Sequence, residues 1–205
     1  MTNFDFKSLI MKNIILLISF LVSLNVIGQN VIAKISPFHL IDGTFYTSIE
    51  KEFISDHSVN ISSGYRLSDN GDDKGWMGEV QLRKYLFTIK SLRFGESSLS
   101  GVFGALYGNA KYFSELEDYD VLYPYDEGYY QDYYEKYEIK QGEAGVLMGI
   151  QLVVQEKVSL DFFIGGGLRV SDVEGKTSIN FDPVSPQRGY TGIVPKIGLD
   201  FGIVF

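Results

Sequence analysis

The chain closes on PKIGLDFGIVF, and this run limits the possible fold more than any other stretch. Ile197, Leu199, Phe201, Ile203 and Phe205 take every second place, and Lys196, Gly198, Asp200 and Gly202 fall between them. A period of two sends alternate side chains to opposite faces of a strand. A long terminal strand with one such apolar face also needs its open edge paired or covered. A barrel meets that need, because its last strand pairs with its first. The run therefore predicts a final strand that seals a ring.

Strand-like runs with turn signals between them fall at about 30–38, 43–53, 57–67, 75–87, 101–113, 141–154, 157–171 and 192–205. In the sixth, Ala144, Val146, Met148, Ile150, Leu152 and Val154 oppose Glu143, Gly145, Leu147, Gly149 and Gln151. In the seventh, Val158, Leu160, Phe162, Ile164, Leu168 and Val170 oppose Ser159, Asp161, Phe163, Gly165, Gly167, Arg169 and Ser171. The first and fifth runs alternate less cleanly. The pattern predicts an all-β fold, an eight-stranded antiparallel up-and-down barrel.

Alternation leaves open which face is inside. A soluble barrel turns the apolar face inward, and a transmembrane barrel turns it outward. Three features favour the transmembrane form. The polar face is rich in small residues, among them Ser48, Ser58, Ser62, Gly64, Gly145, Gly149, Gly165, Gly167, Gly198 and Gly202, which suit a narrow lumen. The links near 54–56 and 155–156 are short, whereas those near 68–74, 114–140 and 172–191 are long and polar, as for inner turns and outer loops. The link 88–100 departs from this scheme. The runs are also long enough to cross a bilayer at a tilt.

The N-terminus reads as a leader. Met11-Lys12-Asn13 is followed by an almost wholly apolar Ile14–Leu24 and by Val26-Ile27-Gly28. This is the layout of a secretory signal peptide over 1–28, with 1–10 an upstream extension of the start. The competing reading, a membrane anchor, needs about 20 apolar residues. The expected mature domain is then 29–205. There is no cysteine, which removes disulfides, thiolate metal sites and a cysteine nucleophile. The net charge of −8 argues against nucleic acid as a partner.

Further residues carry a resemblance. Gly75-Trp76-Met77-Gly78-Glu79-Val80-Gln81-Leu82-Arg83-Lys84-Tyr85-Leu86-Phe87, Gly101-Val102-Phe103-Gly104-Ala105-Leu106-Tyr107 and Gly142-Glu143-Ala144-Gly145, together with the ending, resemble a family of small Gram-negative outer-membrane barrels of unknown function. The resemblance implies eight strands, residence in the outer membrane and contact with its lipid. It also implies an assembly signal at Leu199, Phe201, Ile203 and Phe205, read by the barrel-assembly machinery. It implies no established chemistry.

Projecting the strands gives a lumen set of Lys34, Arg66, Arg83, Arg169 and Lys196 against Glu50, Glu79, Glu143, Asp161 and Asp200. Eight strands enclose a space just wide enough for side chains to fill. Charges packed there need partners. The expected result is an ion-pair plug similar to the filled lumen of OmpA-type membrane domains; the alternative is a narrow channel.

The expected outer loop 114–140 stands apart. Eight of the 14 tyrosines (Tyr119, Tyr123, Tyr125, Tyr129, Tyr130, Tyr133, Tyr134, Tyr137) lie there beside nine acids, Glu115, Glu117, Asp118, Asp120, Asp126, Glu127, Asp132, Glu135 and Glu138. Tyrosine gives broad contact area at low entropy cost. The segment is expected to meet an extracellular protein or glycan, or else to be a solvated loop. Its spacing matches no calcium loop, and Asp69-Asn70-Gly71-Asp72-Asp73 reads as a turn. No cofactor or metal is expected, and the barrel is expected to be a monomer. A lipid-modifying enzyme is the second alternative, built from His39, Asp42 and Ser68. Ser36 and His39 have opposite strand parity, so they would not face each other without a bend. Gly165-Gly166-Gly167 lies within a strand and opens no helix, so it is no phosphate cradle.

Overall fold

The computed structural model describes residues 31–41, 43–67, 74–89, 97–122, 130–174 and 189–205. Its strands are β1 (Val31–Ile35), β2 (Thr44–Ile54), β3 (His57–Leu67), β4 (Lys74–Thr88), β5 (Gly101–Leu122), β6 (Tyr130–Val154), β7 (Val158–Glu174) and β8 (Gly192–Val204). One short helix, α1 (Pro37–Ile41), lies between β1 and β2. Each strand pairs antiparallel with the next, and β8 returns to β1, so the sheet is a closed up-and-down ring. The expected strands are all present, and they face as the alternation required.

Register sets the shape of the ring. From Ile32, paired residues lead through Glu50, Asn60, Gln81, Tyr107, Gly145 and Gly167 to Val194, yet Ile32 itself pairs with Val204. The stagger is therefore ten residues, 204 minus 194. With about 3.3 Å per residue and about 4.8 Å between strands, that stagger over eight strands tilts them by about 40° at a backbone radius of about 8 Å.

The two faces are sorted opposite to a water-soluble protein. Ile61, Val80, Leu82, Leu106, Val146, Met148, Ile164, Leu168, Ile197 and Ile203 point outward and are exposed, while Ser48, Ser58, Asn60, Gln81, Arg83, Glu143 and Asp161 are buried inside. Small inward residues make this packing feasible. A Cβ on Gly198 would run into the ring of Phe163, which is itself buried in the lumen.

Two expectations need correction, and one open point is filled in. The first run was expected to extend to 38, but β1 stops at Ile35 and α1 begins at Pro37. Proline lacks the N–H a ladder needs, and its fixed φ suits the first position of a helix. The loop expected over 114–140 is mostly strand: β5 and β6 stay in register from Gly101↔Gln151 to Leu122↔Tyr130. Pairing with β4 ends at Ser114 and with β7 at Glu138, so 115–122 and 130–137 form a ribbon paired only with itself among the described residues. Its acids hid the pattern, whereas its tyrosines favour strands. The link 88–100, left unassigned by the sequence, folds onto the ring near its end. Ile89 N donates to Ser100 O at 2.7 Å, Gln151 Nε2 donates to Leu99 O at 2.8 Å, and buried Leu99 packs with Ile32, Phe103 and Val153. Residues 97–100 thus cover the end of the ring where β1 begins and β8 ends.

Candidate functional site: the packed lumen

The lumen is built from the inward positions of all eight strands, and its stagger decides which of them meet. In the half nearer the termini, Arg83 (β4) and Lys34 (β1) face Glu50 (β2) and Asp161 (β7). Arg83 Nη1 donates to Asp161 Oδ2 at 2.6 Å and to Glu50 Oε2 at 3.2 Å. Lys34 Nζ donates to Asp161 Oδ2 at 2.8 Å, to Glu50 Oε2 at 2.5 Å and to Gln151 Oε1 at 2.5 Å. All four charged side chains are 0% exposed. Tyr85 and Ser58 donate to the other oxygen of Glu50, and Arg83 Nε donates to Gln81 Oε1 at 2.8 Å. The guanidinium also lies 4.3 Å above the Phe103 ring. Two cations balance two carboxylates, so the cluster needs no counter-ion.

In the outer half the pairs are separate. Lys196 (β8) bonds Glu79 (β4) and sits 4.3 Å over the Tyr107 ring. Arg169 (β7) donates from Nε and Nη2 to Glu143 Oε2 at 2.9 and 2.8 Å, while Tyr107 donates to Glu143 Oε1 at 2.7 Å. Tyr46, Met77, Phe113 and Ile139 form an apolar cluster beyond them. A cavity of about 230 Å³ remains, bounded by His39, Tyr46, Glu79, Lys111, Lys196 and Asp200 among others. On the outer surface, Trp76, Tyr112, Lys140, Gly142 and Val170 border a shallow apolar hollow.

All ten charges singled out in the sequence lie on inward-facing strand positions, and eight of them are joined in these networks. Arg66 sits at the outer end of β3, opposite Thr44 and Gly75. Asp200 is buried but makes no ion pair among the described residues. Gln81, Gln151, Tyr85, Tyr107 and Lys111 were missed. Their signal was the same parity as Arg83, Glu143 or Phe103; Gln81, Gln151, Tyr85 and Tyr107 carry no charge to mark them for the lumen set, and Lys111 lies in the fifth run, whose alternation is less clean.

Ser36 and His39 do meet, because the bend that parity required is present. α1 replaces the strand there and swings His39 round, so its Nδ1 lies 2.9 Å from Ser36 Oγ. The imidazole stacks on Tyr46 at 4.2 Å between ring centroids. Asp42 and Ser68 lie outside the described residues, as do residues 1–28, expected to be a leader, and Tyr123, Tyr125 and Tyr129. In the ribbon, Tyr119 pairs with Tyr133, Tyr134 with Asp118, Tyr137 with Glu115 and Tyr130 with Leu122. Among the described residues no three His, Asp or Glu side chains gather as a metal ion would need. At the chain's end, Phe201 and Ile203 point outward, and Phe205 N donates to Val31 O at 2.8 Å. No family model matches the chain, and neither the curated proteins nor the solved structures contain a match.

Proposed function

We propose that this chain is an outer-membrane β-barrel of the Gram-negative type, with a closed, ion-paired lumen and a structural or surface-interaction role. The observation that carries the reading is the inverted sorting of its faces: apolar outside, charged inside. Water gives no reason for that arrangement, and lipid does. The outward run of β7 from Val158 to Val170 gives way to Asp172 and Glu174. At about 2.5 Å of height per tilted residue it covers about 30 Å, the thickness of a hydrocarbon core. Tyr65, Trp76 and Tyr112, neighbours across β3, β4 and β5, supply aromatics near its outer limit. The leader 1–28 and the assembly signal at Leu199, Phe201, Ile203 and Phe205 fit the same itinerary.

The lumen favours a plug over a channel. An ion crossing it would have to break the fully buried Arg83–Asp161 and Lys34–Glu50 contacts and pass Leu99. Outside the membrane, the ribbon of 115–122 and 130–137 supplies the surface for an extracellular protein or glycan.

Two measurements test the reading. On a denaturing gel the unboiled protein is expected to run faster than the boiled protein, and in planar bilayers it is expected to give no steady conductance. Equal mobility with recovery in a soluble fraction would overturn the membrane location, and steady unit conductance would replace the plug with the channel. Deleting 115–137 leaves every β4–β5 and β6–β7 pair in place. That variant is expected to keep the mobility shift while losing adhesion of cells to a protein or glycan surface; lost mobility would show that the ribbon is needed for folding.

A further inference from the structure

The outward face of the wall carries charge at two levels, and only the upper one holds both signs. Near the outer end stand Lys74, Glu138, Lys140, Asp172 and Glu174, and Lys140 pairs with Glu174 at 2.7 Å. Near the inner end, among the described residues, the outward strand positions hold Lys51 of β2 and Lys84 of β4, both exposed, and no carboxylate. Neither lysine makes an ion pair among the described residues. Glu52, next to Lys51 in the chain, takes the other face and accepts from Ser98 Oγ at 2.7 Å. Around the rest of the ring the same level is apolar, with Ile150, Leu160 and Ile203 exposed, so the cations are confined to one side.

The register puts both lysines at one depth. One residue along a strand changes height by about 2.5 Å, and one step along a paired row from β1 towards β8 raises it by about 3 Å. Lys84 leads through Gly104 and Met148 to Ile164, and Lys51 through Val59, Leu82, Leu106 and Val146 to Gly166. Counted down β7 from those rows, both lysines lie about 5 Å above Val158, the lower limit of the apolar run. Phe53 and Leu86, two residues further on, are exposed at that limit. A lysine lays its methylenes along apolar surface and carries its ammonium to the polar boundary. Both ammonium groups therefore reach the level of the inner-leaflet phosphates.

The patch between them has a defined shape. Two strand spacings and an offset of two residues separate the Cα atoms by about 12 Å. His57 pairs with Lys84 and stands between the two lysines; its Nδ1 lies 3.0 Å from Ser55 O and its ring tilts against Phe53 at 6.2 Å. Beside Lys84 the surface is hollow, because nothing lies within 4 Å of where a Cβ on Gly104 would stand. An unpartnered cation on a lipid-facing wall is costly, and anionic headgroups supply the missing charge. A single phosphate would draw both side chains together across His57, whereas two linked phosphates meet each where it stands. We infer that Lys51 and Lys84 hold one inner-leaflet lipid of the cardiolipin type, whose two phosphates are joined through a glycerol. Each ammonium takes one phosphate, and the acyl chains lie over Val59, Leu82 and the hollow at Gly104.

The inference rests on the membrane location proposed above, and its test separates the two. The full chain is placed in nanodiscs of equal parts phosphatidylcholine, phosphatidylglycerol and cardiolipin, and the lipids it keeps on release are weighed by native mass spectrometry. One lysine at a membrane surface is worth about fivefold in holding anionic lipid. Cardiolipin is therefore expected to exceed phosphatidylglycerol by about fivefold and phosphatidylcholine by about 25-fold. Lys51→Gln and Lys84→Gln are expected to erase the preference together while keeping the gel mobility shift, and Lys140→Gln at the outer rim is expected to leave it unchanged. If the double variant does not fold, the single Lys84→Gln decides against Lys84→Arg: a loss of about fivefold in the first and none in the second is expected. Equal retention of the three lipids, phosphatidylglycerol kept as well as cardiolipin, or an undiminished preference in the glutamine variants overturns the inference and leaves the barrel reading standing. Loss of the mobility shift in the unaltered protein overturns the membrane reading itself.

Discussion

Arg83→Ala will lower the stability of the barrel by about 3–5 kcal/mol, read as a fall in the urea midpoint of the protein in lipid vesicles. Arg83 is one of two cations shared by Glu50 and Asp161, and all of these side chains are fully buried. Removing it leaves two carboxylates with Lys34 alone. It also frees the Gln81 oxygen and empties the space over Phe103. The loss exceeds that of an exposed ion pair, which is worth about 1 kcal/mol at most. Lys140 and Glu174 form such a pair at the outer rim, and Lys140→Ala serves as the control, with little expected change. A midpoint for Arg83→Ala as small in its shift as the control's would show that the lumen cluster does not hold the ring together.

Ile164→Arg will cost about 2–4 kcal/mol in a bilayer, the price of a cation near the midplane on the lipid face. Ile164 points outward, is 56% exposed, and lies midway along the apolar run of β7. The same substitution on a water-facing strand changes stability by about 0.5 kcal/mol or less. The expected sign therefore depends on what surrounds the barrel. Asp172→Arg, beyond the apolar run on the same strand, is expected to be nearly neutral. Should Ile164→Arg prove neutral too, the outward face does not meet lipid.

The two substitutions probe what the sequence made legible and what it did not. Strand positions and the inward face could be read because glycine, serine and charge alternate with Val, Ile, Leu and Phe at period two, as in Val158–Val170. Ion-pair membership could be read from parity, but partner choice could not. Lys34 meets Asp161, far along the chain, only because a stagger of ten residues brings β1 and β7 to the same level. Stagger is a property of the whole ring and leaves no local mark. At Ser36 and His39, parity holds only for an unbroken strand, and the helix begun at Pro37 supplies the bend that brings them together. The ribbon was misread for the opposite reason. Glu and Asp there suggest a solvated loop, yet Tyr119 and Tyr133 continue a ladder begun at Gly101. The short closure of the ring was invisible for a third reason: β1 and β8 look complete separately, and only their pairing shows an overlap of four residues.

That overlap also orders events in time. β6 and β7 join through a short turn and share an unbroken ladder from Val154↔Val158 to Glu138↔Glu174. Ile32 and Val204 lie 172 residues apart (204 minus 32) and share a ladder of four pairs. Joining distant residues costs more chain entropy than closing a hairpin, and fewer bonds reward it. The hairpins thus form before the ring, and β1 is the clasp fastened last. Until the final strand has been delivered, β2 and the strands after it are an open sheet with an apolar face and no lock.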